Sequence, residues 1–191
     1  MSMSKSGWTR PWFVSGAYKT IPTSSTSTRS VQATQPTNME KINIIEFEQK
    51  HGEEAKKLAR LAMEDVGIES DVINLYTNDD FDYETIAEVY KDRSRLWLAL
   101  LEDRVVGTIA IAEIDSATAR LRRMFVLPQV QRRGIGQQLF DIALKFSKEK
   151  GYHRMVLDTD RLMHSAQSFY EQNGFHRVTR EGDRIFYELT V

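Results

Sequence analysis

Two glycines in the segment Gln131-Arg-Arg-Gly-Ile-Gly136 stand at the predicted start of an amphipathic helix, after a strand and a short loop. The first amides of a helix lack intrahelical acceptors and lie at the positive end of the helix dipole, so they can bind an anion. Gly134 and Gly136 let a phosphate approach the backbone without meeting a Cβ atom, and Arg132 and Arg133 add positive charge. The segment therefore predicts a pyrophosphate site, with an ordinary glycine turn into a helix as the alternative.

The chain lacks the residue types or the spacing that other binding and catalytic motifs require. A dinucleotide-binding fingerprint would need glycine at Leu139, and a P-loop would need Gly-Lys-Ser or Gly-Lys-Thr, and neither is present. No histidine stands in an HExxH pattern and no serine in GxSxG. The chain has no cysteine, which excludes disulfides, thiolate metal sites and an acyl-cysteine intermediate. We expect no metal and no serine or cysteine nucleophile.

The segment resembles the coenzyme A motif of the GCN5-related N-acetyltransferases, which has Gln or Arg, two residues, Gly, one residue, then Gly or Ala. Gln131–Gly136 fits it at every position. A second family element, Ala, three residues, Tyr-Glu, two residues, Gly-Phe, is matched by Ala166–Phe175. The two motifs occur in the family's order, and the resemblance covers nearly all of residues 40–190. It implies an N-acetyltransferase with acetyl-coenzyme A as co-substrate.

The resemblance also implies where the coenzyme binds. In the family, the strand before the loop is splayed from its neighbour, which leaves backbone groups near Met124, Phe125 and Val126 to bind pantetheine and polarise the thioester. The pyrophosphate is bound by the backbone amides of the loop and the first helical turn, which here are Gln131, Arg132, Arg133, Gly134, Ile135, Gly136 and Gln137.

Tyr170 falls on the family tyrosine that faces the sulfur and protonates the departing thiolate. A phenol with a reference pKa of about 10 is a suitable acid for a thiol of pKa about 8.5. The alternative is that Tyr170 is a core residue of an amphipathic helix, and both roles are compatible.

The chain departs from the family pattern at two positions. Met163 stands where the family often has asparagine, which removes one expected coenzyme contact. Arg122 stands four residues before Val126, where some members have a glutamate base. Arginine cannot accept the amine proton, but its planar fork suits a carboxylate, so the acceptor could be an amino acid or another small amine bearing an acid group.

Alternatives remain for these roles. Arg122 could instead face solvent and pair with Glu113 or Asp115. With no glutamate at position 122, removal of the amine proton falls to water, to Asp158 at the end of its strand, or to His164 beside the tyrosine helix.

The leading functional hypothesis is direct attack of a small-molecule primary amine on acetyl-coenzyme A in a ternary complex. A non-catalytic acyl-coenzyme A-binding regulatory module would keep Gly134 and Gly136 but would not need Tyr170. A protein lysine or N-terminal acetyltransferase would need an open peptide groove. A homodimer is compatible with each hypothesis.

The elements that must position these residues follow from hydrophobic periodicity. We predict one α/β domain of the α+β type over residues 39–191, with a mixed, mostly antiparallel sheet and helices on both faces. Strands are predicted at Lys41–Phe47, Leu96–Leu101, Val105–Ile111, Ala119–Leu127, His153–Thr159, Phe175–Thr179 and Arg184–Leu189. Helices are predicted at Glu53–Val66, Tyr83–Asp92, Gly134–Lys150 and Ser165–Asn173, with Ser70–Asp82 as an irregular loop.

Residues 1–38 have a different composition from the rest of the chain, with fifteen Ser or Thr, four basic residues and no acidic residue. We expect this segment to be disordered, as a leader ahead of Met39 or as an organelle transit peptide. Subtracting its charge of +4 from the total of −1 leaves −5 for residues 39–191, which argues against nucleic-acid binding. No apolar run approaches the roughly 20 residues that span a bilayer, so we expect no membrane insertion and a cytoplasmic location.

Overall fold

Seven strands form one mixed sheet, in a computed structural model that describes residues 41–80, 86 and 89–191. The strands are β1 (Asn43–Glu46), β2 (Arg95–Leu101), β3 (Arg104–Glu113), β4 (Thr118–Val126), β5 (Arg154–Asp160), β6 (His176–Glu181) and β7 (Arg184–Thr190). They lie in the order β1-β2-β3-β4-β5-β7-β6, and every neighbouring pair is antiparallel except β4 with β5. The mixed, mostly antiparallel sheet predicted from the sequence is confirmed.

Four helices longer than one turn lie in the described part of the chain. They are α1 (Gly52–Asp65), α2 (Ser70–Asp80), α3 (Ile135–Glu149) and α4 (His164–Gln172), with short 3-10 turns at Gln49–His51 and Pro128–Val130. The predicted bounds of α1, α3 and α4 agree with the observed ones to one residue.

Two hydrophobic clusters cover the two faces of the sheet, because successive side chains of a strand point to opposite faces. The first cluster contains Trp97 and Ala99 of β2 together with residues of α3 and α4, such as Phe140 and Tyr170. The second cluster contains Leu98 of β2 together with residues of α1 and α2. Helices therefore cover both faces, as predicted.

The prediction of an irregular loop at Ser70–Asp82 is wrong, because Ser70–Asp80 forms α2. Asn, Asp and Thr are weak helix formers, and tertiary packing overrides their preference here. Ile73 and Thr77, which are four residues apart on one helical face, are both 0% exposed. Arg60 of α1 donates to Asn74 Oδ1 at 2.9 Å and thereby ties the two helices together.

Two other predictions fall mainly on residues that the structure does not describe. Of the helix predicted at Tyr83–Asp92, Ile86 and Val89 are described as helical, while 83–85 and 87–88 lie outside the described residues. The predicted N-terminal extension, residues 1–38, also lies outside them. Ile42–Val191 form one compact unit.

Arg93 joins three elements at the end of the sheet that is remote from Gln131–Gly136, the glycine loop. Its guanidinium donates to Glu113 Oε1 at 2.7 Å, to the carbonyl oxygen of Lys150 at 2.7 Å and to that of Ser116 at 2.9 Å. It also lies over the ring of Tyr152, whose hydroxyl donates back to the Arg93 carbonyl oxygen at 2.7 Å. Burial raises the pKa of Tyr152, so this phenol remains a donor well above neutral pH.

Arg93→Ala is expected to lower the free energy of unfolding by about 2 kcal/mol, because it removes charge-assisted hydrogen bonds to two carbonyl oxygens and a carboxylate. Arg93→Lys should recover less than half of that loss, since an ammonium lacks the planar fork. Urea unfolding measures both variants. A loss below about 0.5 kcal/mol in Arg93→Ala would show that this network does not stabilise the fold.

Candidate active site

The parallel pair β4–β5 separates after three rungs and leaves a gap in the middle of the sheet. Among the described residues, pairing joins Thr118–Arg120 to Arg154–Val156. Beyond those rungs β4 continues along β3 as far as Val126, and β5 continues along β7 as far as Asp160. The facing edges of β4 and β5 therefore carry backbone groups that the ladder does not use, as the predicted splay requires.

Val126 directs its backbone groups into this gap. The amide of Leu127 donates to the carbonyl oxygen of Val106 in β3 at 2.9 Å. Since hydrogen-bonding direction alternates along a strand, the N–H and C=O of Val126 point to the opposite edge, toward β5. The Gln131 side chain donates to the Val126 carbonyl oxygen at 3.1 Å, which fastens the glycine loop across that edge. The Val126 amide is a hydrogen-bond donor aimed into the gap.

A β-bulge at Arg123 sets the direction of the end of β4. The pairing register with β3 shifts between Thr108 and Ala110, and Arg123 has a φ of 51°, which a residue with a Cβ atom rarely adopts. The Thr108 hydroxyl donates to the Arg123 carbonyl oxygen at 2.6 Å. The Arg123 side chain is buried against Tyr90, contacting its hydroxyl and lying 5.0 Å from its ring centroid. This bulge could not be predicted from the sequence, because the Tyr90 partner of Arg123 lies 33 residues away and leaves no local signal.

The glycine loop leads into the N-terminus of α3, which lies beside the Val126 end of β4. Gly134 has a φ of 80°, and its carbonyl oxygen accepts the helical bond from Gln138 at 3.1 Å. The amides of Ile135, Gly136 and Gln137 thus belong to the first helical turn, which has no intrahelical acceptors. In the part of the chain that the structure describes, no side chain caps this helix. These amides lie beside the exposed side chains of Arg132 and Arg133, a combination that suits an anion.

Gly136 lies where α3, β4 and α4 meet. A Cβ atom at this position would be 3.6 Å from Met124 Cε and 3.8 Å from both Val126 Cγ2 and Phe169. Those are ordinary contacts, so alanine would fit here, as the family motif allows. Met124, Val126 and Phe169 form an apolar wall beside the gap.

Tyr170 lies in the first cluster, in contact with three aromatic rings. It is 6% exposed, and its ring centroid is 5.7 Å from that of Phe175, 6.0 Å from Phe169 and 6.1 Å from Tyr187. The Tyr187 hydroxyl donates to Glu171 Oε1 at 3.0 Å, and burial, followed by this bond, raises the pKa of Tyr187. The ring of Tyr170 is a core element, and its role as an acid stays a prediction.

A polar bridge joins the glycine-loop helix to the tyrosine helix. The Gln137 side chain donates to Asn173 Oδ1 and to Asp141 Oδ1, both at 2.9 Å. Asn173 in turn donates to the Phe169 carbonyl oxygen at 2.9 Å. This bridge could not be predicted from the sequence, because its partners lie 36 residues apart.

The three candidate substrate residues lie in different environments. Arg122 is half-buried and pairs with Ala110, a residue of the second cluster, so the two share that face of the sheet. The Asp158 side chain is 5% exposed, and its carboxylate contacts the guanidinium groups of Arg120 and Arg184. His164 is exposed and begins α4. Arg122 and Asp158 stand on the facing strands of the gap.

The alternative partners of Arg122 have other contacts. Glu113 accepts from Arg93. Asp115 accepts the amides of Ala117 and Thr118 at 2.8 Å each, and the bond from Ala117 is the main reason that the pKa of Asp115 is lowered.

Two further features are absent from the described residues. No group of three or more His, Cys, Asp or Glu side chains is arranged to hold a metal ion there. No helix of that part of the chain is long and apolar enough to cross a membrane.

Comparison with known proteins gives consistent matches. The model of the acetyltransferase (GNAT) family matches residues 57–175. Human N-acetyltransferase 8 is 33% identical over 80 residues, which are 39% of this chain, and the match covers only 35% of that relative's own length.

Solved structures resemble nearly the whole described domain. The PaiA N-acetyltransferase of Thermoplasma acidophilum, in complex with coenzyme A, has a TM-score of 0.71 and 21% identity over 79% of this chain and 99% of its own. An acetyltransferase of Streptococcus agalactiae has a TM-score of 0.68 and 26% identity over 78% of this chain and 98% of its own.

Proposed function

Because the chain belongs to the acetyltransferase (GNAT) family, we propose that it transfers an acetyl group from acetyl-coenzyme A to the primary amine of a small molecule. One observation carries the proposal: the open edge of β4 and the uncapped first turn of α3 face the same gap in the sheet. A thioester and a pyrophosphate are joined in one coenzyme molecule, so a site for it needs both features together.

Coenzyme binding is assigned to backbone groups. The backbone amides from Gln131 to Gln137 donate to the pyrophosphate, with the side chains of Arg132 and Arg133 beside them. Pantetheine lies along β4 from Met124 to Val126. The PaiA protein of similar fold was crystallised with coenzyme A, which supports coenzyme A as the ligand.

The reaction is direct attack within a ternary complex. The nitrogen of the neutral amine bonds to the thioester carbon, and the carbonyl oxygen takes up negative charge before the carbon–sulfur bond breaks. A β4 amide donating to that oxygen contributes about 2.7 to 4 kcal/mol of transition-state stabilisation. The Tyr170 phenol protonates the departing thiolate, and the phenolate that remains recovers a proton from solvent water. The amine proton leaves to water, and proximity supplies much of the remaining rate.

Water is the proposed acceptor of the amine proton, because the charged groups around Asp158 make this carboxylate an unfavourable base. Its carboxylate contacts two guanidinium groups, those of Arg120 and Arg184, which stabilise the ionised form that they already bind. His164 is exposed at the start of α4.

The acceptor is proposed to carry a carboxylate. Arg120 and Arg122 are two residues apart on β4, so both face the second cluster side of the sheet, and Arg184 lies across the gap on β7. The half-buried Arg122 guanidinium is the group proposed to bind that carboxylate, because its planar fork suits a carboxylate. An amino acid or a related acidic amine fits this role.

Arg122→Met is expected to lower kcat/KM for acidic acceptors by roughly 10- to 100-fold, because a charge-assisted hydrogen bond contributes about 1.5 to 3 kcal/mol. The measurement is thiol release from acetyl-coenzyme A with matched acceptors, such as phenylalanine and phenethylamine. The amine without a carboxylate should be unaffected. Equal losses for both acceptors would contradict a carboxylate contact.

The same thiol-release assay, with a lysine-containing peptide added as an acceptor, tests the rival functions. Turnover confined to a lysine-containing peptide would show a protein acetyltransferase. Saturable binding of acetyl-coenzyme A with no turnover of any acceptor would show a non-catalytic binding module.

A further inference from the structure

We propose that Met163 limits the length of the acyl chain, so that the site accepts acetyl and rejects butyryl groups. The inference rests on the proposed function, because it concerns the acyl end of the same coenzyme site. It starts from the side chain of Met163, which packs against the second cluster although α4 packs against the first.

The backbone around Met163 is fixed by hydrogen bonds. Met163 directly precedes α4, and its amide donates to the Asp160 carbonyl oxygen at 3.1 Å. The Gln167 side chain donates to the same oxygen at 3.2 Å and to the Arg161 carbonyl oxygen at 3.0 Å. The Cα position of Met163 is therefore set by the loop between β5 and α4.

The side chain of Met163 reaches a different cluster from the rest of its helix. Ala166, Phe169 and Tyr170 of α4 pack in or against the first cluster. Met163 is half-buried against the second cluster, on the side of α1 and α2, to which Phe125 of β4 also belongs. Met163 follows β5, and its side chain packs on the same face of the sheet as Phe125 of β4, the strand on the other side of the β4–β5 gap.

The Met163 side chain lies on the face of the sheet to which the acyl end of the coenzyme would point. The apolar wall beside Gly136 lies on the first-cluster side, near the phosphate-binding turn of α3. A coenzyme anchored there and threaded along the open edge of β4 directs its acyl end toward the other face of the sheet. Met163 packs on that other face. Its thioether side chain fills irregular space, and alanine lacks the three heavy atoms beyond its Cβ.

The test compares acetyl-, propionyl- and butyryl-coenzyme A with the full chain and Met163→Ala. The butyryl-to-acetyl ratio of kcat/KM should rise at least about tenfold in the variant, because each methylene that a hydrophobic pocket admits or rejects changes the rate about tenfold or more. Met163→Leu, which keeps the volume, should leave the ratio within about threefold of wild type.

Leu162→Ala is the matched neighbour. Leu162 is half-buried, but it is not among the described side chains packed against either cluster, so its truncation should not change the ratio. If Met163→Ala does not fold, Met163→Val shortens the same side chain with less loss of packing. An unchanged ratio in a folded Met163 variant overturns the inference, and so does a wild-type protein that uses butyryl-coenzyme A as well as acetyl-coenzyme A.

Binding separates this inference from the proposed function. The affinities of acetyl- and butyryl-coenzyme A are measured by calorimetric titration of wild type and Met163→Ala. If no acceptor turns over, the proposed function fails, yet a tenfold gain in relative butyryl affinity in the variant still supports Met163 as the limit. If turnover occurs but neither the affinity ratio nor the kcat/KM ratio changes, the inference alone fails.

Discussion

Tyr170→Phe is expected to lower turnover by roughly 10²- to 10⁴-fold while the affinity for acetyl-coenzyme A stays near that of the wild type. The substitution removes the proposed acid but keeps the ring that packs between Phe169, Phe175 and Tyr187. Steady-state thiol release measures turnover, and calorimetric titration measures affinity. Full activity of the variant at all pH values would show that Tyr170 is only a core residue and that water protonates the thiolate.

Tyr187→Phe is the matched control for this prediction. Tyr187 is buried in the same aromatic group, and its hydroxyl donates to Glu171 rather than to the proposed reaction centre. Its loss should lower the free energy of unfolding by about 1 kcal/mol and leave turnover within about threefold of wild type. Equal losses of turnover in the two variants would indicate that the aromatic packing, and not the Tyr170 phenol, supports catalysis.

Gly134→Val should weaken binding of acetyl-coenzyme A by at least about 100-fold, which corresponds to the loss of two charge-assisted hydrogen bonds. Two effects combine at this position. The backbone φ of 80° disfavours any residue with a Cβ atom, and a β-branched side chain most of all. The space around a Cβ at Gly134 is open within 4 Å of the described residues, so the side chain would instead occupy the room proposed for the pyrophosphate.

Gly151→Val controls for the backbone strain. Gly151 follows the other end of α3, has a φ of 74° and also has open space around a Cβ position. Both valine variants should lose about 1 to 2 kcal/mol of stability, but only Gly134→Val should lose coenzyme affinity. Gly136→Ala should bind acetyl-coenzyme A within about tenfold of wild type, since its Cβ meets only ordinary contacts. Normal binding by Gly134→Val would mean that the phosphate site lies elsewhere.

Local patterns predicted most of the fold. The short apolar run at Leu96–Leu101 is typical of a strand, and the apolar residues after Gly134 recur with the period of a helix. The segment at Ser70–Asp80 carries weak helix formers, and its helix depends on burial of Ile73 and Thr77, which composition does not reveal. The position of β5 between β4 and β7 likewise depends on contacts that are distant in sequence. The splay of β4 from β5 was predictable only from the family resemblance.

The candidate site likewise contains features that local sequence predicts and features that depend on distant partners. The glycine turn at Gly134 was predictable because it combines a residue type, a spacing and a helix start within six positions. The Arg123 bulge and the Gln137–Asn173 bridge were not, because each depends on a partner more than 30 residues distant in sequence. A backbone donor such as the Val126 amide does not depend on residue type, so its direction can be identified only from the pairing of the strands.

Amide hydrogen exchange with and without saturating acetyl-coenzyme A tests the central claim most directly, because that claim concerns backbone groups. We predict slower exchange at residues 124–126 of β4 and 134–137 of α3, with no change along the exposed edge strand His176–Glu181. The same slowing should be absent in Gly134→Val at equal coenzyme concentration. Binding that leaves residues 124–126 and 134–137 unprotected, or no binding at all, would contradict the assignment of the coenzyme to the β4–β5 gap.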